Sequence, residues 1–202
     1  AIALNGTNSN LNNLTIANTV ATVSANSDIA MDGNFTNNGT FNAGTSTFTF
    51  NGTNPQTILG STPTTFNNLT MDNNDAGIND LTLSIDTTVN GTLNFITGNI
   101  STGTNTLIIG NMTGCGVTGA AANRHVIGNL RKNFTASQTT CDFEIGDGTL
   151  YAPVTVDFRT LSGVSTVSTP GTVTASTTAG DHPDTTSSIN NINPAQSVNR
   201  YW

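Results

Sequence analysis

The chain has 202 residues and a formal net charge of −7, yet only 8% of it is charged, against about a quarter in ordinary soluble proteins. Its five Lys and Arg residues all fall at or after Arg124, so no basic stripe can follow a phosphate backbone and nucleic acid is excluded as an expected partner. No run of about 20 apolar residues occurs, so no helical membrane span is expected, and the 35% apolar content sets the chain apart from charge-driven disorder.

Polarity comes instead from Thr, Asn, Ser and Gly. The branched Cβ of Thr packs well on a pleated sheet, and Asn and Gly tolerate the left-handed backbone of tight corners. In chain order, the candidate strands of the first half are Leu14–Ile16, Val20–Ser24, Asp28–Met31, Phe35 with Phe41, Thr47–Phe50, Thr57–Leu59, Phe66–Met71, Leu81–Ile85, Thr92–Phe95 and Thr106–Ile109. Leu81, Leu83 and Ile85 alternate with polar residues, the period of a strand with one buried face. No segment of helical length carries apolar residues three and four apart.

The first half repeats itself. Leu11-Asn12-Asn13-Leu14-Thr15-Ile16 matches Phe66-Asn67-Asn68-Leu69-Thr70-Met71, and the stretch from Gly39 to Phe50 matches that from Gly98 to Ile109, at an offset drifting from 55 to 59. Units of this kind cannot bury their apolar faces alone and must stack. With a coil of about 20 residues, the first 111 residues give about five or six coils, stacked ~4.8 Å apart. Asn-Gly hairpin signals, at Asn5-Gly6, Asn38-Gly39, Asn51-Gly52 and Asn90-Gly91, are few for so many strands, which favours parallel coils over a sandwich.

Near Met112–Gly119 the texture changes, and the basic residues begin. Longer candidate strands follow at His125–Phe134, Cys141–Ile145, Tyr151–Leu161 and Gly171–Thr178, then a polar loop over Asp181–Gln196 and a last strand from Ser197. The expected fold is therefore all-β: a parallel, β-helix-like solenoid over residues 1–112, then an antiparallel β-sandwich-like part over residues 113–202. The start, Ala1-Ile2-Ala3-Leu4, has no positive leader and is expected to follow a removed export signal. Cys115 and Cys141 lie 26 positions apart; paired, they close a loop worth about 3–4 kcal/mol, and two buried thiols are the alternative. Tyr201 and Trp202 put two large aromatics on a final strand with nothing after them. They are expected either to pack on later residues of a longer chain or to dock on a neighbouring subunit.

Taken together, FNNLTM, then TVNGTLNFITGNISTGTNTLIIGN, then HVIGNLRK, FEIGDG, YAPVTV, AGDHP and VNRYW resemble the β-strand-repeat segments of very large secreted surface proteins of Bacteroidetes and related bacteria. The resemblance covers most of the chain. It implies a role in adhesion, surface layers or extracellular matrix, a secreted or cell-surface location, and no enzymatic residues.

Candidate chemistry is sparse. Asp72, Asn74 and Asp75 place oxygens close together in a Gly-containing loop, as a Ca²⁺ site requires. Ala76 stands where a further ligand is expected and no Glu follows, so a plain Asx-rich corner is the stronger reading. His125 and the Asp181-His182-Pro183-Asp184 stretch carry the only histidines, the latter in a pattern suited to a solvated turn. The first half has no Lys or Arg to support the carboxylate chemistry of polysaccharide lyases, and no nucleophile elbow, zinc spacing or phosphate loop occurs. The expectation is a non-enzymatic structural subunit of an extracellular filament, sheath or surface layer, self-associating into a homopolymer through strand edges and coil ends. The alternative is a stalk or adhesive segment that binds a glycan or host surface.

Overall fold

The computed structural model describes residues 2–6, 9–18, 22–75, 77, 80–110, 115–134, 140–157, 171–180 and 200–202. The chain winds into a parallel β-solenoid with three sheet faces. The first turn gives one strand to each face: β1 (Ile2–Leu4), β2 (Ser9–Leu11) and β3 (Leu14–Ile16). The second gives β4 (Thr22–Ala25), β5 (Ile29–Met31) and β6 (Phe35–Asn37), the third β7 (Thr40–Asn42), β8 (Thr47–Phe50) and β9 (Gln56–Gly60). The fourth comprises β10 (Thr64–Phe66), β11 (Asn68–Asp72) and β12 (Leu81–Leu83). The fifth contains β13 (Thr87–Val89), β14 (Leu93–Thr97) and the start of β15 (Ile100–Ile109).

Strand β15 bends round a corner. Ile100 and Ser101 pair with β12 on the third face, whereas Leu107, Ile108 and Ile109 pair with β13 on the first. β16 (Val117–Thr118) and the start of β17 (Val126–Phe134) complete the next turn. The middle face is one six-stranded ladder in the order β16-β14-β11-β8-β5-β2, so the solenoid has about six turns. The end of β17, β18 (Thr140–Phe143) and β19 (Ile145–Gly146) begin a further turn, with β19 still parallel to β17.

Alternation within each short strand sends every second residue inward. Register stacks these residues into columns. On the middle face Ile29, Phe48, Leu69, Leu93 and Val117 form one, and Leu11, Met31, Phe50, Met71 and Phe95 another. Phe35, Phe41, Phe48 and Phe66 meet edge-on or tilted at 5.1–5.9 Å between ring centroids, filling the bore in turns two to four. Each buried side chain of this size contributes about 1.5–3 kcal/mol.

Several expectations need adjustment. Phe66–Met71 is two strands, because the chain turns a corner at Asn67. Phe35 and Phe41 likewise lie on separate strands, β6 and β7. Strand β13 is absent from the expected set, because its inward residue at Thr87 is polar; it is fully buried, and its hydroxyl donates to the Ile85 carbonyl at 3.2 Å. The repeat offset is not a whole number of turns. Leu14–Ile16 lies on the third face and its sequence match Leu69–Met71 on the middle one. The true period varies: Val23 pairs with Phe41, 18 residues on, and Ile58 with Leu83, 25 residues on. Val20, residues 158–161 of the expected third long strand, the 181–196 loop and residues 197–199 lie outside the described residues.

Parallel pairing also runs past residue 112, through β16, β17 and β19. The change of texture there begins between the end of β15 and the start of β16. Antiparallel strands are present farther on. β20 (Val154–Asp157) pairs with β18, and β21 (Gly171–Ala175) pairs with β17. β22 (Thr178–Ala179) pairs with β23 (Arg200–Tyr201). Of these strands β21 joins the ladder of the stack, beside β17, while β18-β20 and β22-β23 are separate two-stranded sheets.

Candidate functional site

One corner of the solenoid, between the middle and third faces, is lined by buried polar residues. Asp80, Asn99, His125 and Glu144 each stand immediately before an apolar residue that starts a third-face segment: Leu81, Ile100, Val126 and Ile145. Stacking therefore places them one above another. Asp80 Oδ2 accepts from the Asn99 amide at 2.6 Å, and Asn99 Oδ1 accepts from the His125 amide at 3.1 Å. The Val126 amide donates to the Glu144 carbonyl at 3.0 Å. All four residues are buried. The His125 ring is wedged between the carbonyls of Ala121 and Asp147, at 3.3 and 3.0 Å from its two nitrogens, with the Tyr151 ring 5.5 Å away.

Outside this column three successive corner loops enclose an open cleft of about 490 Å³. Asn73, Asn74, Asp75, Gly77 and Asp80 come from the fourth turn, Ile96 to Asn99 from the fifth, and Ala122 to Arg124 from the sixth. Asn73 fixes the first loop. Its amide donates to Asn54 O at 2.8 Å and Gln56 Oε1 at 2.9 Å, while its oxygen accepts from the Asp75 amide at 2.7 Å. Asp75 Oδ2 accepts from the Gly77 amide at 3.1 Å, a second Asx turn. Asp80 is 1% exposed, and its Oδ1 has no hydrogen-bond partner among the described residues. Burial pushes its carboxyl above the usual range, the charge of Asp75 adds to that, and the Asn99 N–H opposes it. Arg124 is exposed at the rim, its Nη1 donating to Ile96 O at 3.3 Å.

Of the residues singled out for Ca²⁺, Asn74 and Asp75 line this cleft. Asp72 instead lies on β11 and accepts from the Thr97 hydroxyl at 3.1 Å. Among the described residues no group of three or more Asp, Glu, His or Cys side chains converges as a ready metal site. The residue that sequence reading missed is Asp80.

Cys115 and Cys141 form a disulfide with 5.8 Å between Cα atoms, tying the corner before β16 to β18. Beside it, Lys132 Nζ donates to Glu144 Oε2 at 2.7 Å, Asp142 O at 2.7 Å and Cys115 O at 2.9 Å. Tyr201 lies on β23, opposite Thr178 in β22, and the Trp202 indole N–H donates to Ala152 O at 3.2 Å with most of its ring exposed. Asp181, His182 and Asp184 lie outside the described residues.

No protein-family model, curated protein or solved structure matches this chain. No helix is long and apolar enough to cross a membrane, among the described residues. The column and cleft together offer oxygen acceptors, of which Asp80 Oδ1 is buried and unpaired among the described residues, and the Arg124 guanidinium at the rim.

Proposed function

We propose that this chain is a non-enzymatic structural subunit of a secreted filament, sheath or surface layer. The stack itself carries the reading. Turn after turn is joined by backbone ladders around a bore of Ile, Leu, Met and Phe, which is material suited to stiffness. The Cys115–Cys141 disulfide supports an oxidising, extracytoplasmic location. The resemblance to β-strand-repeat segments of bacterial surface proteins points the same way.

We read the residues after Gly146 as a sandwich-like end built on the stack. Among the described residues β20 and β21 each have one strand neighbour, so their outer edges are candidate sites for strand addition by another copy, near the Tyr201–Trp202 segment. A second reading, a stalk or adhesive segment of a larger surface protein with a glycan partner, is favoured by one observation. At the C-terminal end β17 has the antiparallel strand β21 as a neighbour and β18 has β20, so the parallel coil pattern does not simply continue there.

Electron microscopy and sedimentation velocity on the natively secreted material separate the two. Filaments with an axial repeat near one subunit length are expected for the polymer. Monomers that persist on concentration would sink it, and glycan-array screening would then test the stalk.

A further inference from the structure

The geometry points to a calcium site at the floor of the corner cleft, with Asp80 and Asp75 as its carboxylate ligands. Two independent observations meet there. Asp80 Oδ1 is buried and, among the described residues, has no hydrogen-bond partner, although Oδ2 of the same carboxylate is held by the Asn99 amide. A carboxylate oxygen left in that condition is costly unless a proton or a cation meets it. The second observation is Asp75, which the two Asx turns at Asn73 and Asp75 hold on the same cleft that Asp80 lines. Two carboxylates on one cleft repel, and a divalent cation held by both relieves that repulsion and meets the unpaired oxygen.

The surrounding groups suit calcium. Ca²⁺ takes six to eight oxygens at loose geometry, from carboxylates, amide and backbone carbonyls and water, whereas Mg²⁺ demands a near-regular octahedron. The cleft adds the exposed Asn74 carboxamide and is open to water. With two carboxylates, and Arg124 at the rim opposing them, affinity belongs in the range of about 10⁻⁴–10⁻³ M typical of extracellular modules. Asp72 is not a ligand, because it lies on β11 and does not line the cleft.

The test uses the full chain stripped with EDTA. Titration with CaCl₂ to 10 mM, on the order of ten times the dissociation constant, is expected to raise Tm by about 2–5 °C, and MgCl₂ to do little. Tb³⁺ added to the stripped protein should luminesce and be displaced by Ca²⁺. Asp75→Asn and Asp80→Asn should each abolish the calcium shift, and Asp72→Asn should retain it. Arg124→Gln should tighten binding about twofold to threefold by removing an opposing charge. If Asp80→Asn does not fold, Asp75→Asn decides. The site is overturned by any of three results: no calcium-dependent shift, an equal response to Mg²⁺, or a shift that survives in Asp75→Asn.

Discussion

Lys132 is the residue most at odds with its surroundings. Register puts it at an inward position, at the end of the column Phe66, Val89, Ile109. Its ammonium is fully buried, yet each of its three N–H bonds meets an acceptor: Cys115 O, Asp142 O and Glu144 Oε2. Burial lowers the Lys132 pKa and raises that of Glu144, and the attraction between the two opposes both shifts. Removing one partner strands the other. Lys132→Met should therefore cost about 3–5 kcal/mol in urea denaturation, whereas Lys132→Met/Glu144→Leu should recover more than half of that. The pair also sets a pH dependence. A carboxyl whose pKa is higher folded than unfolded adds stability in full below its ordinary value of 4.5, and loses it as pH rises through the folded value. A lysine whose pKa is lower folded than unfolded has the opposite slope, recovering stability as pH approaches 10.5. In EDTA, urea midpoints of the native chain should fall as pH rises above 4.5, and more steeply than those of the double variant. Equal slopes would show that the pair is not the cause.

At the scale of the element, the corners are more demanding than the strands. Gly60 ends β9 at φ 137°, and a Cβ there would lie 2.0 Å from the Asn37 carbonyl oxygen of the turn below. Gly103 sits on the bend of β15 at φ 55° with open space around it. Gly103→Ala should cost only the left-handed penalty of about 1–2 kcal/mol. Gly60→Ala should exceed that clearly in thermal denaturation, because backbone must move as well. Similar losses at the two sites would mean that the turns are not packed this closely. The same corners explain what was legible in the sequence. Alternation at Leu81-Thr82-Leu83 and the Asn- and Gly-rich punctuation announced short strands and tight bends. The column of polar residues was written there too, as Asp80-Leu81, Asn99-Ile100, His125-Val126 and Glu144-Ile145. It could not be seen without the register, because the spacing between successive members changes from turn to turn. A buried Thr87 hid β13 for a related reason, since an inward residue that satisfies its hydroxyl locally looks polar on paper.

For the whole molecule, stacking was legible in the sequence but its order was not. A match between 11–16 and 66–71 records similar local chemistry on different faces, since any face needs an apolar pair between Asn corners. The pairing of β15 with β17 has a consequence for where the chain can be cut. Ile100 pairs with Val126, Leu107 with Leu130 and Ile109 with Lys132, so β17 covers both the hydrogen-bonding edge of β15 and the apolar end of the bore. A fragment ending at residue 112 would leave that edge as a long row of unpaired backbone groups, and would bare apolar side chains at Leu107 and Ile109 that are otherwise buried. Re-exposing each such side chain costs about 1.5–3 kcal/mol, and the bare edge is a template for pairing with another copy. The fragment should therefore show larger particles by dynamic light scattering and bind thioflavin T, under conditions where the full chain does not. A soluble fragment with a cooperative melt would instead make the first 112 residues a self-sufficient unit and reduce β17 to an accessory strand.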